Sequence, residues 1–213
     1  MNKLSYLKNG AFIAALCLAC QAARADVVYD NSTADLSTRF NPGTIEVGDQ
    51  ITLGGIDRYV TNFTFEYWAT NISVSLDARI RFYANDGGLG SPGTVLFDTD
   101  FFNIGGLGDT NRATLVFDLT GTPILVPDTF TWSIQFTNIV SGGGAGVDIF
   151  SPPTVGGNSS PYWEFDGVNW LSKTNETVSM DFAARVSAVP EPSTMALLGL
   201  GGFALFAGLR RRK

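Results

Sequence analysis

Four glutamates lie in the body of the chain, at Glu46, Glu66, Glu164 and Glu176, and its 213 residues contain no histidine. Without histidine there is no general base for a Ser-His-Asp or Cys-His nucleophile and no imidazole for zinc. Carboxylates alone suffice for glycoside hydrolysis, which needs two of them flanking a sugar. Glu66 falls on the polar face of an alternating segment, and Glu46 and Glu176 fall near turns. Only Glu164 has an aromatic setting, with Tyr162, Trp163, Phe165 and Trp170 around it and Asp166 and Asn169 close by. Flat rings beside carboxylates and amides suit a sugar, the rings meeting C–H faces and the oxygens accepting from hydroxyls. The expectation is a binding surface at Tyr162, Trp163, Glu164 and Trp170, with no catalytic residues. The competing reading has the same rings closing one end of a core. Trp132 is expected inside that core and Trp68 at its rim.

The acidic turns Asp26–Asp35, Asn85-Asp86 and Asp98–Asp100 offer hard oxygen ligands, so calcium is the one metal to consider. None has the spacing of an EF-hand or a nonapeptide repeat, and solvated turns explain them equally. No other cofactor is expected. Five Asn-x-Ser/Thr triplets begin at Asn31, Asn62, Asn71, Asn158 and Asn175, acceptors only in a host with glycosylation machinery.

These residues must be carried by a domain, and both ends of the chain say where it goes. Lys3 and Lys8 precede an uncharged run from Asn9 to Ala23, and Ala23-Arg24-Ala25 precedes Asp26. That is the pattern of a secretory signal over 1–25, cleaved between Ala25 and Asp26. A lipidated Cys20 is the rival reading, weakened by Cys17 where a lipobox has leucine. Cleavage after Ala25 removes both cysteines, so no disulfide staples the mature domain.

At the other end, Pro190-Glu191-Pro192 is followed by the apolar run Met195–Leu209 and then by Arg210, Arg211, Arg212 and Lys213. The prolines fix an extended spacer. Ser193 to Leu209 gives 17 uncharged residues, the short end of a bilayer span, and the terminal cations hold that end in the cytoplasm. The three-part order resembles the PEP-CTERM sorting signal of exported bacterial proteins. The resemblance implies recognition by an exosortase, cleavage near Pro190–Pro192, and display at the cell surface or in an exopolysaccharide matrix. A plain membrane anchor with a proline linker is the alternative.

Between the two ends lies one domain, 26–188, before the sorting segment 189–213. Over Asp26–Val189 only seven Lys and Arg face 19 Asp and Glu, a formal charge of −12 against −6 for the whole chain. Such a surface repels nucleic acid and anionic polymers and leaves neutral ligands or divalent cations as partners. The segments read as strands throughout. In Ser73–Tyr83, Val74, Leu76, Ala78, Ile80 and Phe82 alternate with polar residues. Further strands are expected at 27–29, 45–53 with a break at Gly48-Asp49, 58–68, 95–102, 113–119, 130–139, 147–150, 162–165 and 179–186. Gly105–Thr110, Ser141–Gly146 and Ser151–Ser160 are expected as mobile loops. The fold expected is all-β, a jelly-roll-like antiparallel β-sandwich, preceded by a signal-peptide helix and followed by a transmembrane helix near 193–209. An immunoglobulin-like sandwich is second.

The stretch from Ser73 through Asn85-Asp86-Gly87-Gly88 and Ser91-Pro92-Gly93 to Val95-Leu96-Phe97 is similar to the choice-of-anchor domains. Leu115–Leu119 and Thr131–Phe136 match their later strands, while Leu89-Gly90 is an insertion. That resemblance implies a surface-anchored domain without an established activity. Good hairpin chemistry explains the same residues. The combined expectation is a structural or adhesive surface protein beside exopolysaccharide. A carbohydrate-binding module acting through Tyr162–Trp170 is the alternative, and a carboxylate glycosidase the third.

Overall fold

A computed structural model describes residues 25–71, 76–105, 112–159, 161–175 and 178–191. The expected signal helix, with Ala23, and the expected membrane helix, with Pro192 and the terminal Arg210, Arg211, Arg212 and Lys213, lie outside them. Among the described residues no helix is long and apolar enough to cross a membrane.

Antiparallel strands fill the described chain. The first five are β1 (Asp26–Asn31), β2 (Asp35–Phe40), β3 (Glu46–Thr52), β4 (Tyr59–Thr70) and β5 (Asp77–Ala84). Next come β6 (Val95–Asp98), β7 (Phe102–Asn103), β8 (Arg112–Asp118), β9 (Ile124–Leu125) and β10 (Thr129–Thr137). The last are β11 (Gly144–Phe150), β12 (Gly157–Asn158), β13 (Tyr162–Phe165), β14 (Trp170–Lys173) and β15 (Ala184–Val189). In the first sheet β4 is the spine, with β15 and then β11 along one edge and β8 and β9 along the other. β1 and β2 lie outside β15 and β11. The second sheet runs β14-β13-β3-β10-β5-β6, with β12 added to β3 and β7 to β5. The two stack as the expected β-sandwich.

Period-2 patterning makes the core. Phe130, Trp132, Ile134 and Phe136 of β10 and Phe63, Phe65 and Tyr67 of β4 all face inward and are buried. The Trp132 ring meets Phe63 edge-on at 5.2 Å and lies 5.8 Å from both Phe65 and Phe182. Such pairs each add about 0.5–1.5 kcal/mol beyond their buried area.

Several expectations are corrected. Gly48-Asp49 does not interrupt β3, because Gly48 leaves room for the Thr131 methyl, which a Cβ would meet at 2.7 Å. Gly144–Gly146 is not loop but buried strand. At Gly146 a Cβ would stand 1.9 Å from the Phe40 carbonyl, so glycine lets β2 close on β11. Trp68 is not at the rim but buried, with its ring against Gly144 and the Arg39 guanidinium 5.8 Å over it. The 95–102 strand is two strands, β6 and β7, and the 179–186 strand starts only at Ala184. Asp35–Phe40, where no strand is expected, is strand. Asn31 is fully buried and donates to the Phe150 carbonyl at 2.8 Å, which removes it from the glycan acceptors.

β10 shows a further departure. Its outward Thr131 and Ser133 are as buried as its inward residues, so something covers the outer face of the second sheet.

Candidate functional site

The cover is the β13–β14 hairpin. Its turn is built by Asp166, whose Oδ1 accepts from the amides of Val168 at 2.8 Å and Asn169 at 2.7 Å. Those amides hold the Asp166 carboxyl below the usual carboxylate range. Gly167 takes the positive φ of 99° that the turn requires. Asp166 and Asn169 therefore serve the turn.

β14 and β5 have β13, β3 and β10 between them, a flat-sheet separation of about 19 Å. Yet Trp170 of β14 packs edge-to-face on Tyr83 of β5 with ring centroids 5.3 Å apart. The sheet edge thus curls over the sheet's outer face, with Phe165 beside Trp170 at 5.2 Å. A groove of about 650 Å³ opens between the hairpin and the β5–β6 turn, lined by Gln50, Leu89, Trp163, Trp170, Ser172 and Lys173 among others. Leu89 stands fully exposed at its lip.

The strand alternation divides the four residues that the sequence groups together. Trp163 and Trp170 line the groove. Tyr162 and Glu164 are on the opposite face of β13: Tyr162 is buried against Phe40 at 5.1 Å and donates its hydroxyl to Glu164 Oε1 at 2.8 Å. Glu164 lies 3.9 Å from the Lys173 ammonium. Burial, then Glu164, raise the Tyr162 phenol above its usual pKa.

Beneath the hairpin lies a polar network that sequence reasoning missed. Glu46 is not near-turn surface but 2% exposed, held by the Arg81 guanidinium at 2.8 Å, the Ser133 hydroxyl at 2.6 Å and the Tyr83 hydroxyl at 3.0 Å. Burial first, then the Glu46 charge, raise the Tyr83 phenol. Only the period of β3, with Glu46 in phase with Gly48 and Gln50, hinted that this carboxylate shares a face with the tryptophans. A smaller hollow of about 270 Å³ beside it is lined by Ile45, Glu46, Arg81, Gln135 and Phe165 among others.

The carboxylates considered for hydrolysis are dispersed. Glu66 projects from the outer face of the first sheet to Arg112 at 2.9 Å, which also holds Asp35 at 2.7 Å and Asp148 at 3.1 Å. Burial raises the Glu66 and Asp148 carboxyls, and Arg112 opposes it. Glu176 lies outside the described residues. The acidic turns are internally bonded: Asp86 takes the Thr94 amide and hydroxyl, both at 2.7 Å, and Asp98 takes Arg79. Among the described residues no three Asp, Glu, His or Cys side chains converge as a metal site.

The sorting segment leaves from the middle of the first sheet. β15 pairs with β1 on one side and β4 on the other, and its last residue, Val189, is paired with Tyr59. Pro190 follows at once, half-buried, and Glu191 is exposed. Ala25 and Asp26 are exposed at the start of β1. Neither a curated protein nor a solved structure matches the chain. The family model described as PEP-CTERM protein-sorting motif matches residues 188–213. The chain thus carries at its C-terminus a PEP-CTERM signal, the mark of an exported protein sorted to the surface by an exosortase.

Proposed function

We propose that the sorted β-sandwich is a structural or adhesive component of the cell surface, working in contact with exopolysaccharide. The reading rests on the groove, where two tryptophans, an amide and a hydroxyl stand together on an exported domain. Two rings at the wall of an open groove suit the apolar faces of successive sugars, and Gln50 and Ser172 supply hydrogen bonds. The acidic surface favours a neutral glycan. Before processing, the segment near 193–209 holds the chain in the membrane, and exosortase cleavage near Pro190–Pro192 passes the domain to the surface.

The test is retention of the protein on immobilised host exopolysaccharide and on a neutral glycan array. Binding that is lost in Trp163→Ala, with the circular dichroism unchanged, supports the reading. No binding, or binding that Trp163→Ala leaves intact, removes the groove from it.

A further inference from the structure

Between the two sheets, away from the groove, four polar side chains are buried together. Tyr29 and Asn31 face inward from β1, Asp49 faces inward from β3, and Asp181 precedes β15; none is more than 1% exposed. The main chain of Phe182 ties them together. Its amide donates to Asp49 Oδ2 at 2.8 Å, and its carbonyl lies 3.3 Å from the Asn31 amide nitrogen. Asp181 Oδ1 accepts from the Ser179 hydroxyl at 2.9 Å. Each residue keeps one oxygen without a protein partner: Asp49 Oδ1, Asp181 Oδ2, Asn31 Oδ1 and the Tyr29 hydroxyl.

Asn31, Asp49 and Asp181 each hold their other side-chain polar atom in a hydrogen bond, so their leftover oxygens are not a failure of local packing. Burial first, then the Asp181 charge, pushes the Asp49 carboxyl well above the usual carboxylate range, and burial with both charges behind it raises the Tyr29 phenol, opposed by Asn31. Among the described residues no Lys or Arg pairs with either aspartate. Two carboxylates buried side by side need either a shared proton or a counter-charge. Waters would satisfy the oxygens but leave the charge. A hard cation does both. Carboxylate and amide oxygens with a phenol are an all-oxygen set, which suits the flexible coordination of calcium better than the strict octahedron of magnesium.

We infer that Asp49, Asp181, Asn31 and Tyr29 form an inter-sheet calcium site that locks β1 and the segment before β15 onto β3. The site is independent of the groove and of the proposed glycan binding. It also differs from the acidic turns that the sequence offers for calcium.

The test uses the full chain in detergent, stripped with chelator and then dialysed with or without calcium. Elemental analysis should find one calcium per chain, and calcium should raise the Tm by about 5 °C or more. Terbium should bind in its place and emit on excitation of the neighbouring Trp132 and Tyr29, and calcium should quench that emission. Asp49→Asn should behave in opposite ways in the two buffers. It should lose the calcium-dependent rise, while in chelator its Tm should equal or exceed that of the parent, because a buried charge has gone. A merely structural aspartate would lower the Tm equally in both. Should Asp49→Asn fail to fold, the parent's calcium content and terbium emission decide. A parent that retains no calcium, gains no Tm from it and shows no sensitised terbium emission overturns the site and leaves a shared proton to neutralise the pair.

Discussion

Trp170 lies edge-to-face on Tyr83, with ring centroids 5.3 Å apart and planes at 74°, although three strands separate them in the sheet. This one contact makes the groove and seals the polar network below it. The same tryptophan therefore has two duties, while Trp163, further out, has one.

Substitution should separate those duties. Trp170→Ala removes the lid over Tyr83 and Glu46 and is expected to cost about 2–3 kcal/mol, less than for a fully buried tryptophan. Trp163→Ala is expected to cost under about 1 kcal/mol, as a partly exposed groove wall should. Urea midpoints measured on both variants check the order.

Glu46 is the hub of the covered face. Glu46→Ala strips Arg81, Ser133 and Tyr83 of a shared acceptor, and removing one partner of a buried pair costs about 3–5 kcal/mol. Glu46→Gln keeps an acceptor and is expected to lose less. Equal losses in the two variants would mean that the charge itself does the holding.

Close backbone approach makes Gly146 irreplaceable. A Cβ there would stand 1.9 Å from the Phe40 carbonyl and 2.9 Å from Trp68 Nε1, so β2 must move away from β11. Gly146→Ala is expected to destabilise by about 3 kcal/mol, the upper end of overpacking. Hydrogen exchange should locate the loosening in Asp35–Phe40.

Acid sensitivity follows from Asp98. Its hydrogen bonds from Arg79, one at 2.8 Å, hold its carboxyl below the ordinary range in the folded state. Folding thus favours the ionised form. The stabilisation is full above the unfolded pKa near ~4 and is lost as pH falls through the lower folded value. Asp98→Asn should cost about 1 kcal/mol at neutral pH, the pair being partly exposed, and make little difference below pH ~3. A difference that persists in acid would assign the effect to packing.

The sandwich was legible because its core strands alternate cleanly, as β10 and β4 do. What escaped the sequence has a common cause, the third dimension of a curled sheet. Nothing local marks Asp35–Phe40 as a strand, since its pairing is supplied by β11, more than a hundred residues on. The burial of Thr131, Ser133 and Glu46 depends on a hairpin arching across three strands. The grouping of Tyr162 with Trp163 followed proximity along the chain, whereas strand alternation sends them to opposite faces. Asp49 read as a break in its strand although it stands in phase with Val47 and Ile51, and Asp181 fell opposite Met180 and Phe182, on the side that alternation makes polar. The sorting segment was readable because its signal is linear, a motif, an apolar run and a basic end in order.

The most direct test of the account is the intact mass and C-terminal peptide map of the protein purified from its native host. Export and exosortase sorting predict a chain that begins at Asp26 and ends near Pro190–Pro192, just beyond the last paired residue, Val189. A mature chain still ending at Lys213 would contradict sorting and leave a sandwich tethered by a plain membrane anchor.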